Sequence, residues 1–351
     1  MYVAVIVAPY CKSEITLTAL QLADWLRLLG LNVYYISTTR VNTGRHEHWD
    51  NNVISHNNYA QVASVLNKAS HVCWFAQCHA IERDLELRKK QIRRTVKQLF
   101  FPGWVPYMDY HYATSLFTQR VVCLSQSFYN WLDVRYKDID KTQSLLATPD
   151  RLLIPRSGPI SSRWMKLLVY VPKSIEQDVP RSYFQIFYTL FKQYSVQVGF
   201  VFEKPLNSTY RRVFNQLSRQ YPEQVRLEQN VNLSDYKWLS CQYDMVYLLN
   251  ARHTHGALFS LFAGFNLPVV CNMMPLALEH VANNVGCIVA TELVEKPIPV
   301  AKINAETLLS NMGYIGRNYT NWLINVQGKQ FATLQHSQFL FEQFLRQEFQ
   351  L

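Results

Sequence analysis

The sequence predicts an α/β protein made of two Rossmann-like domains. Three observations predict it. The chain opens on a buried strand, a helix and a second buried strand. The same rhythm restarts after a linker rich in proline, glycine and serine. At 351 residues and 49% hydrophobic, the chain is also long enough to bury two cores of ordinary size. Its 17% of charged residues describes a globular protein, since disorder needs fewer hydrophobics and more charge.

The first domain follows element by element. Val3–Ala8 is a continuous apolar run, as a strand covered on both faces of a parallel sheet requires. Thr16–Leu29 carries Leu17, Leu20, Ala23 and Leu26 at helical spacing, and Gly30 stops it. Asn32–Ser37 restores a strand and completes a βαβ unit. Tyr59–Lys68 reads as a helix and Val72–Ala76 as a strand. Ala80–Lys97 is a highly charged helix, with a strand at Gln98–Phe101. Arg120–Leu124 is a further strand, and Ser125 caps a helix running to Leu132. Arg151–Ile154 is the last strand of this half. The linker is Pro155–Arg163, which places the domain boundary between residues 158 and 159.

The second domain restarts with a strand at Lys166–Val171, a helix over Tyr183–Phe191 and a strand at Val196–Phe202. A helix at Arg211–Gln220, a short strand at Val225–Leu227 and a short helix at Ser234–Ser240 follow. Then come two buried-strand patterns, Met245–Leu249 and Pro268–Cys271. Between them lie a polar turn, His253-Thr254-His255-Gly256, and apolar residues at helical spacing: Leu258, Leu261, Phe262 and Phe265. A strand, a glycine-containing turn, a helix and a strand form a unit that aims backbone N–H groups at an anion. This segment points to a phosphate-bearing ligand. Asn304–Met312 is helical, and a long polar-aromatic stretch, Tyr314–Gln350, ends the chain.

Composition narrows the function classes. Seven scattered cysteines with no CxxC pair fit reduced thiols, not a zinc ribbon or a dithiol redox site. Neither GxGxxG nor GxxxxGK[ST] is present, which removes the main support for a dehydrogenase or a P-loop enzyme. No apolar run approaches the length that spans a bilayer, and the N-terminus reads as a strand, so a cytoplasmic protein is expected. The net charge of +10 suits a polyanionic partner, nucleic acid or an anionic membrane face.

The stretch Arg252–Val289 resembles the donor-binding half of glycosyltransferases of the two-Rossmann-domain (GT-B) type, similar to their GT4-like group and to phage DNA glycosyltransferases. His253-Thr254-His255-Gly256 matches the family's turn, Ala263-Gly264 its small residues, and Leu267-Pro268-Val269-Val270 its strand. Glu279-His280-Val281 and Gly286-Cys287-Ile288-Val289 match the tail. A weaker match is Phe101-Pro102-Gly103-Trp104 with the strand Arg120–Leu124. The family's paired glutamates would fall on His253 and Leu261, and neither is a carboxylate. The resemblance implies two Rossmann-like domains facing a central cleft, with a C-terminal helix returning to brace the first. It also implies a UDP-sugar co-substrate, glucose by default, with no other cofactor and no metal.

The candidate site residues divide by domain. On the donor side, Lys173 and Arg181 take the place of the family's phosphate-facing cations, where positive charge meets the charge developing on the leaving diphosphate. Arg252, His253, Thr254, His255 and Gly256 form the anion-facing turn, although Thr254 also suits a plain N-cap. On the acceptor side, Arg88, Lys89, Lys90, Arg93 and Arg94 crowd one predicted helix. A solvated face, an anionic membrane contact and a DNA-backbone contact are all open readings of it. Trp104 and Tyr107 belong to an aromatic loop suited to stacking on sugars or flipped bases. Asp109 and His79 are the candidate catalytic bases. DNA carrying a hydroxymethylated base is narrowly favoured as acceptor. A membrane-surface enzyme acting on a lipid-linked glycan and an inactive nucleotide-sugar or nucleic-acid binding protein are the alternatives.

Overall fold

The computed structural model describes residues 2–10, 14–39, 53–75, 96–101, 120–147, 165–171, 182–193, 195–202, 205–228, 239, 241–248, 258, 262, 269–271 and 335–351. The chain divides into two compact units. The first comprises Met1–Pro149, His253–Leu258 and Gln338–Leu351, and the second Asp150–Arg252 and Phe259–Ser337.

The first unit is a parallel sheet in the order β3-β2-β1-β4-β5-β6-β7. Its strands are β1 (Val3–Ala8), β2 (Asn32–Ser37), β3 (Val53–Ser55), β4 (His71–Phe75), β5 (Lys97–Phe101), β6 (Val121–Cys123) and β7 (Lys141–Gln143). Helices α1 (Glu14–Leu28), α2 (Tyr59–Lys68) and α3 (Gln126–Arg135) connect them. The apolar run of β1 is buried from Ala4 to Ala8 because neighbours pair on both of its sides, β2 through Val5↔Tyr34 and β4 through Val5↔Val72. Ser125 caps α3 as expected, its hydroxyl accepting from the Phe128 N–H at 3.1 Å. Asn58 does the same for α2 through the Gln61 N–H.

Two expectations need correction here. The charged helix does not run to Lys97: Val96 is buried outside any helix and Lys97 opens β5, paired with His71. The apolar residues Leu99, Phe100 and Phe101 draw the chain into the sheet, and burying them outweighs the helical spacing of the upstream charges. Strands β3 and β7 were not anticipated. Each has three residues and lies at a sheet edge, too short for a period-two pattern to show.

The C-terminal helix α6 (residues 335–349) packs on this unit. Phe341, Leu345 and Phe349, four apart, form its buried stripe. The Phe341 ring meets Trp25 of α1 edge-on at 5.6 Å, and Phe349 lies 4.8 Å from the His71 ring. Glu348, also buried, receives Arg120 at 2.7 Å and Lys97 at 3.7 Å. The expected bracing of the first domain by a C-terminal helix is present.

The second unit is a parallel sheet in the order β10-β9-β8-β11-β12. The strands are β8 (Met165–Val171), β9 (Val196–Phe202), β10 (Val225–Glu228), β11 (Met245–Leu248) and β12 (Val269–Cys271). Helices α4 (Ser182–Gln193) and α5 (Ser208–Gln220) cover it. The core is aromatic: Phe184, Phe187, Phe200 and Phe214 pack mostly edge-on around β9, with Phe187 and Phe200 at 5.0 Å. Helix α5 starts three residues earlier than expected because the Asn207 side chain accepts from the N–H groups of Thr209 and Tyr210.

Gly199, central in β9, has a structural reason. The buried Tyr243 ring lies against it, so an added Cβ would come within 2.8 Å of the ring edge and nearer still to the hydroxyl. That hydroxyl donates to the Glu228 carboxylate, so the ring cannot swing aside freely. Gly199→Ala is therefore expected to destabilise the second unit by about 2 kcal/mol, read as a lower unfolding midpoint. Tyr243→Phe, which removes the nearest clashing atom and the hydrogen bond that holds the ring, should recover part of that loss.

Candidate functional site

In open parallel sheets, ligands bind outside the carboxyl ends of the strands where the strand order reverses. In the second unit that reversal falls between β8 and β11, which pair in register through Tyr170↔Leu248. β12 continues on the far side of β11 through Leu248↔Cys271. Both central strands are buried to their last residues, Val171 and Leu248.

The anion-facing candidates Lys173, Arg181, Arg252, His253, Thr254, His255 and Gly256 lie outside the described residues. Their anchors do not. Lys173 follows Val171 by two residues in the chain and Arg252 follows Leu248 by four, and Val171 and Leu248 end two adjacent strands. Of the helix expected after the turn, Leu258 and Phe262 are described, and each is helical and fully buried.

The opposite end of the same strand pair is fastened. The Asp244 carboxylate accepts from the Lys166 N–H at 2.8 Å, and the Asp244 N–H donates to the Lys166 carbonyl at 2.8 Å. A buried carboxylate bonded in this way fixes the register of β8 against β11. The spacing of the two strand ends follows from that register.

In the first unit the order reverses between β1 and β4. The segment leaving β1 is held by side chains from three places. The Pro9 carbonyl accepts from the Thr16 hydroxyl at 2.8 Å and from the Tyr35 hydroxyl at 2.6 Å. Thr39 Oγ1 accepts from the Tyr10 N–H at 3.0 Å and donates to its carbonyl at 3.1 Å. The half-buried Tyr10 ring stands edge-on to Tyr35 at 5.4 Å. Sequence reasoning missed Tyr10. Its signal was an Ala-Pro-Tyr step directly after the first buried strand, at the carboxyl end of the sheet.

Asp109, His79, Arg88, Lys89, Lys90, Arg93, Arg94, Trp104 and Tyr107 lie outside the described residues. His79 follows the end of β4 by four residues and Asp109 the end of β5 by eight. Those strands are neighbours, and their terminal rings Phe75 and Phe101 stack at 4.9 Å. The two candidate bases therefore belong to segments that leave adjacent strands.

Among the described cysteines, Cys73 and Cys123 are packing residues. Burial raises the Cys73 thiol and pushes Cys123 up to about 12, which removes thiolate character. Among the described residues no group of three or more His, Cys, Asp or Glu side chains could hold a metal ion. None of the described helices is long and apolar enough to cross a membrane.

No family model matches the chain, and no curated protein does. Its similarity is to solved structures. A glycosyltransferase from Rickettsia africae superposes with a TM-score of 0.65 at 14% identity, covering 99% of this chain and 98% of that one. An alpha-glucosyltransferase in complex with UDP and a 13-mer DNA containing an HMU base gives 0.64 at 9% identity, covering all of both chains. A protein of Listeria monocytogenes described as a UDP-N-acetylglucosamine 2-epimerase gives 0.57 at 10%, covering 95% and 91%. Sequence identity this low carries the fold and nothing finer, and the fold is the two-Rossmann-domain one, GT-B, along essentially the whole chain.

Proposed function

We propose that the protein is a glycosyltransferase that moves a sugar from a UDP-sugar to a hydroxyl acceptor. The observation that supports this most directly is the pairing of β8 with β11 at the strand-order reversal of the second unit. The segment with Lys173 and Arg181 and the segment with Arg252–Gly256 start from those two strand ends. Cations and a glycine turn on segments that follow such strand ends are the residue types a phosphate site uses, which supports the reading. Three of the similar structures carry UDP in their descriptions together with alpha-glucosyltransferase activity and DNA.

In this reading Lys173 and Arg181 face the diphosphate, and Thr254 and Gly256 offer a hydroxyl and N–H groups to it. The acceptor hydroxyl oxygen forms the new bond to the anomeric carbon, the bond to UDP breaks, and UDP leaves with the electron pair. Asp109 or His79 takes the hydroxyl proton if the anomeric centre inverts, and the leaving diphosphate oxygen takes it if the configuration is retained. The acceptor we favour is a 5-hydroxymethylated base in DNA. The support is the +10 net charge and the likeness to a structure bound to DNA with an HMU base.

One experiment tests the whole reading. UDP release from UDP-glucose is followed with hydroxymethylated DNA, with unmodified DNA and with anionic liposomes carrying a lipid-linked glycan. Release that requires hydroxymethylated DNA is the expected result. Release that requires the liposomes replaces the DNA acceptor with the membrane-surface one. A rearranged UDP-sugar formed without any acceptor, using UDP-N-acetylglucosamine, would move the chain to the epimerase chemistry named for one similar structure. No turnover with any of them leaves a binding protein and ends the enzyme reading.

A further inference from the structure

Helix α5 of the second unit presents a face that none of the chemistry above uses. Its sequence, STYRRVFNQLSRQ, contains three arginines and no acid. Tyr210, Phe214 and Leu217 turn inward to the aromatic core. Two rows of residues four apart remain outside: Arg211, Asn215 and Arg219 in one, and Arg212, Gln216 and Gln220 in the other. All six are exposed, and they border an open hollow of about 770 Å³.

Ion pairing does not account for the arginines. Among the described residues no carboxylate lies within salt-bridge distance of Arg211, Arg212 or Arg219. Arg211 donates from Nη2 to the Leu206 carbonyl at 3.1 Å and is otherwise exposed. Eight residues of helix separate Arg211 from Arg219, a rise of about 12 Å. That length spans three to four base-pair steps of a duplex at about 3.4 Å each.

We propose that this face of α5 is a second contact for DNA, binding the phosphates of the acceptor duplex away from the reacting base. It deepens the DNA reading of the acceptor and rests on that reading alone, not on the transfer chemistry. The side-chain types select the partner. Arginine, asparagine and glutamine all bond phosphate oxygens and sugars, contacts that carry no sequence information themselves. A membrane-binding helix would interleave apolar side chains with its cations, and here every large apolar residue of the helix is turned into the core. The face is polar along its whole length, which fits a phosphate backbone and not a lipid surface.

The test is equilibrium binding of the full chain to a labelled, unmodified DNA duplex from about 50 to 200 mM salt. With up to three phosphates contacted, the triple variant Arg211→Gln, Arg212→Gln, Arg219→Gln should lose up to about 2.7 from the slope of log affinity against log salt. Across that fourfold salt range this is roughly 40-fold less change in affinity than for the wild type. The triple Arg→Lys variant, which keeps the charges, should retain most of the slope. An unchanged slope in a folded Gln variant overturns the proposal, as does tighter binding to phosphatidylserine vesicles than to DNA that the same substitutions abolish. The two readings fail separately. A chain that binds DNA through α5 but never releases UDP retires the transferase. A chain that glucosylates DNA with an unaltered slope in the variant retires this surface.

Discussion

Replacing Lys173 and Arg181 together by alanine is expected to lower kcat for UDP-sugar turnover by about 100- to 1000-fold, with a smaller rise in KM. The reason lies in the charge of the leaving group. A UDP-sugar already carries a charged diphosphate in the ground state, so the two cations contribute to binding. The leaving UDP gains further negative charge as the glycosidic bond breaks, and only the part of the attraction that grows at that point speeds the chemical step. Removing one preorganised donor from a developing anion costs about 3 kcal/mol in well-studied enzymes, which sets the lower end of the range. Lys173→Arg should retain more activity than Lys173→Ala, since charge is kept while geometry changes. A variant whose kcat is unchanged and whose KM alone rises would show the pair to be ground-state binders only. One in which neither parameter moves would place the phosphates elsewhere.

What was legible in the sequence follows from what burial enforces. β1 is a continuous apolar run and β9 is apolar but for Gln197 and Gly199, since both are inner strands of their sheets. Their bounds, Val3–Ala8 and Val196–Phe202, were readable to the residue. Caps were readable where a side chain has one job, as Ser125 has at α3. The edge strands β3 and β7 were not, because VIS and KTQ are short and carry no continuous apolar run such as the VVC that marks the equally short edge strand β12. Lys97 was misplaced for a different reason. A lysine at a strand start looks like the end of a charged helix until its partner, Glu348, is known, and that partner lies 251 residues away. The arginine face of α5 was also missed. Exposed charges impose no constraint on folding, so their arrangement becomes visible only once the buried face is fixed. The donor and acceptor candidates share that limitation. They sit on polar segments after strands, where the sequence supplies residue types and the sheet supplies only their points of departure.

Around Glu348 the expected effects are asymmetric, and the asymmetry identifies what holds the C-terminal helix. Glu348 is 6% exposed at its side chain, whereas Lys97 and Arg120 are 29% and 36% exposed. Lys97 also donates to the Glu348 carbonyl, and Arg120 shares its guanidinium with the exposed Asp140 at 3.1 Å. Glu348→Gln leaves two cations that can turn to water, and about 1 kcal/mol of stability should be lost. The double variant Lys97→Met, Arg120→Met strands a buried carboxylate and should cost about 3 kcal/mol or more. Adding Glu348→Gln to it should recover stability. Protease cleavage within residues 335–349, together with the unfolding midpoint of the first unit, would measure this. Equal losses for the single and double variants would mean that Phe341, Leu345 and Phe349 hold the helix without the charges. His71 supplies an independent readout. Burial, and then the repulsion of Lys97, lowers its imidazole to about 4. Because the folded state binds this proton less readily than the unfolded chain does, the neutral ring's contribution is present above about pH 6.5. It is lost as pH falls toward 4, at up to about 3 kcal/mol. Lys97→Met removes the repulsion and leaves the burial, so the His71 titration should move upward and the acid loss of stability should shrink with it. An unmoved His71 titration would show that Lys97 spends its charge on Glu348 alone.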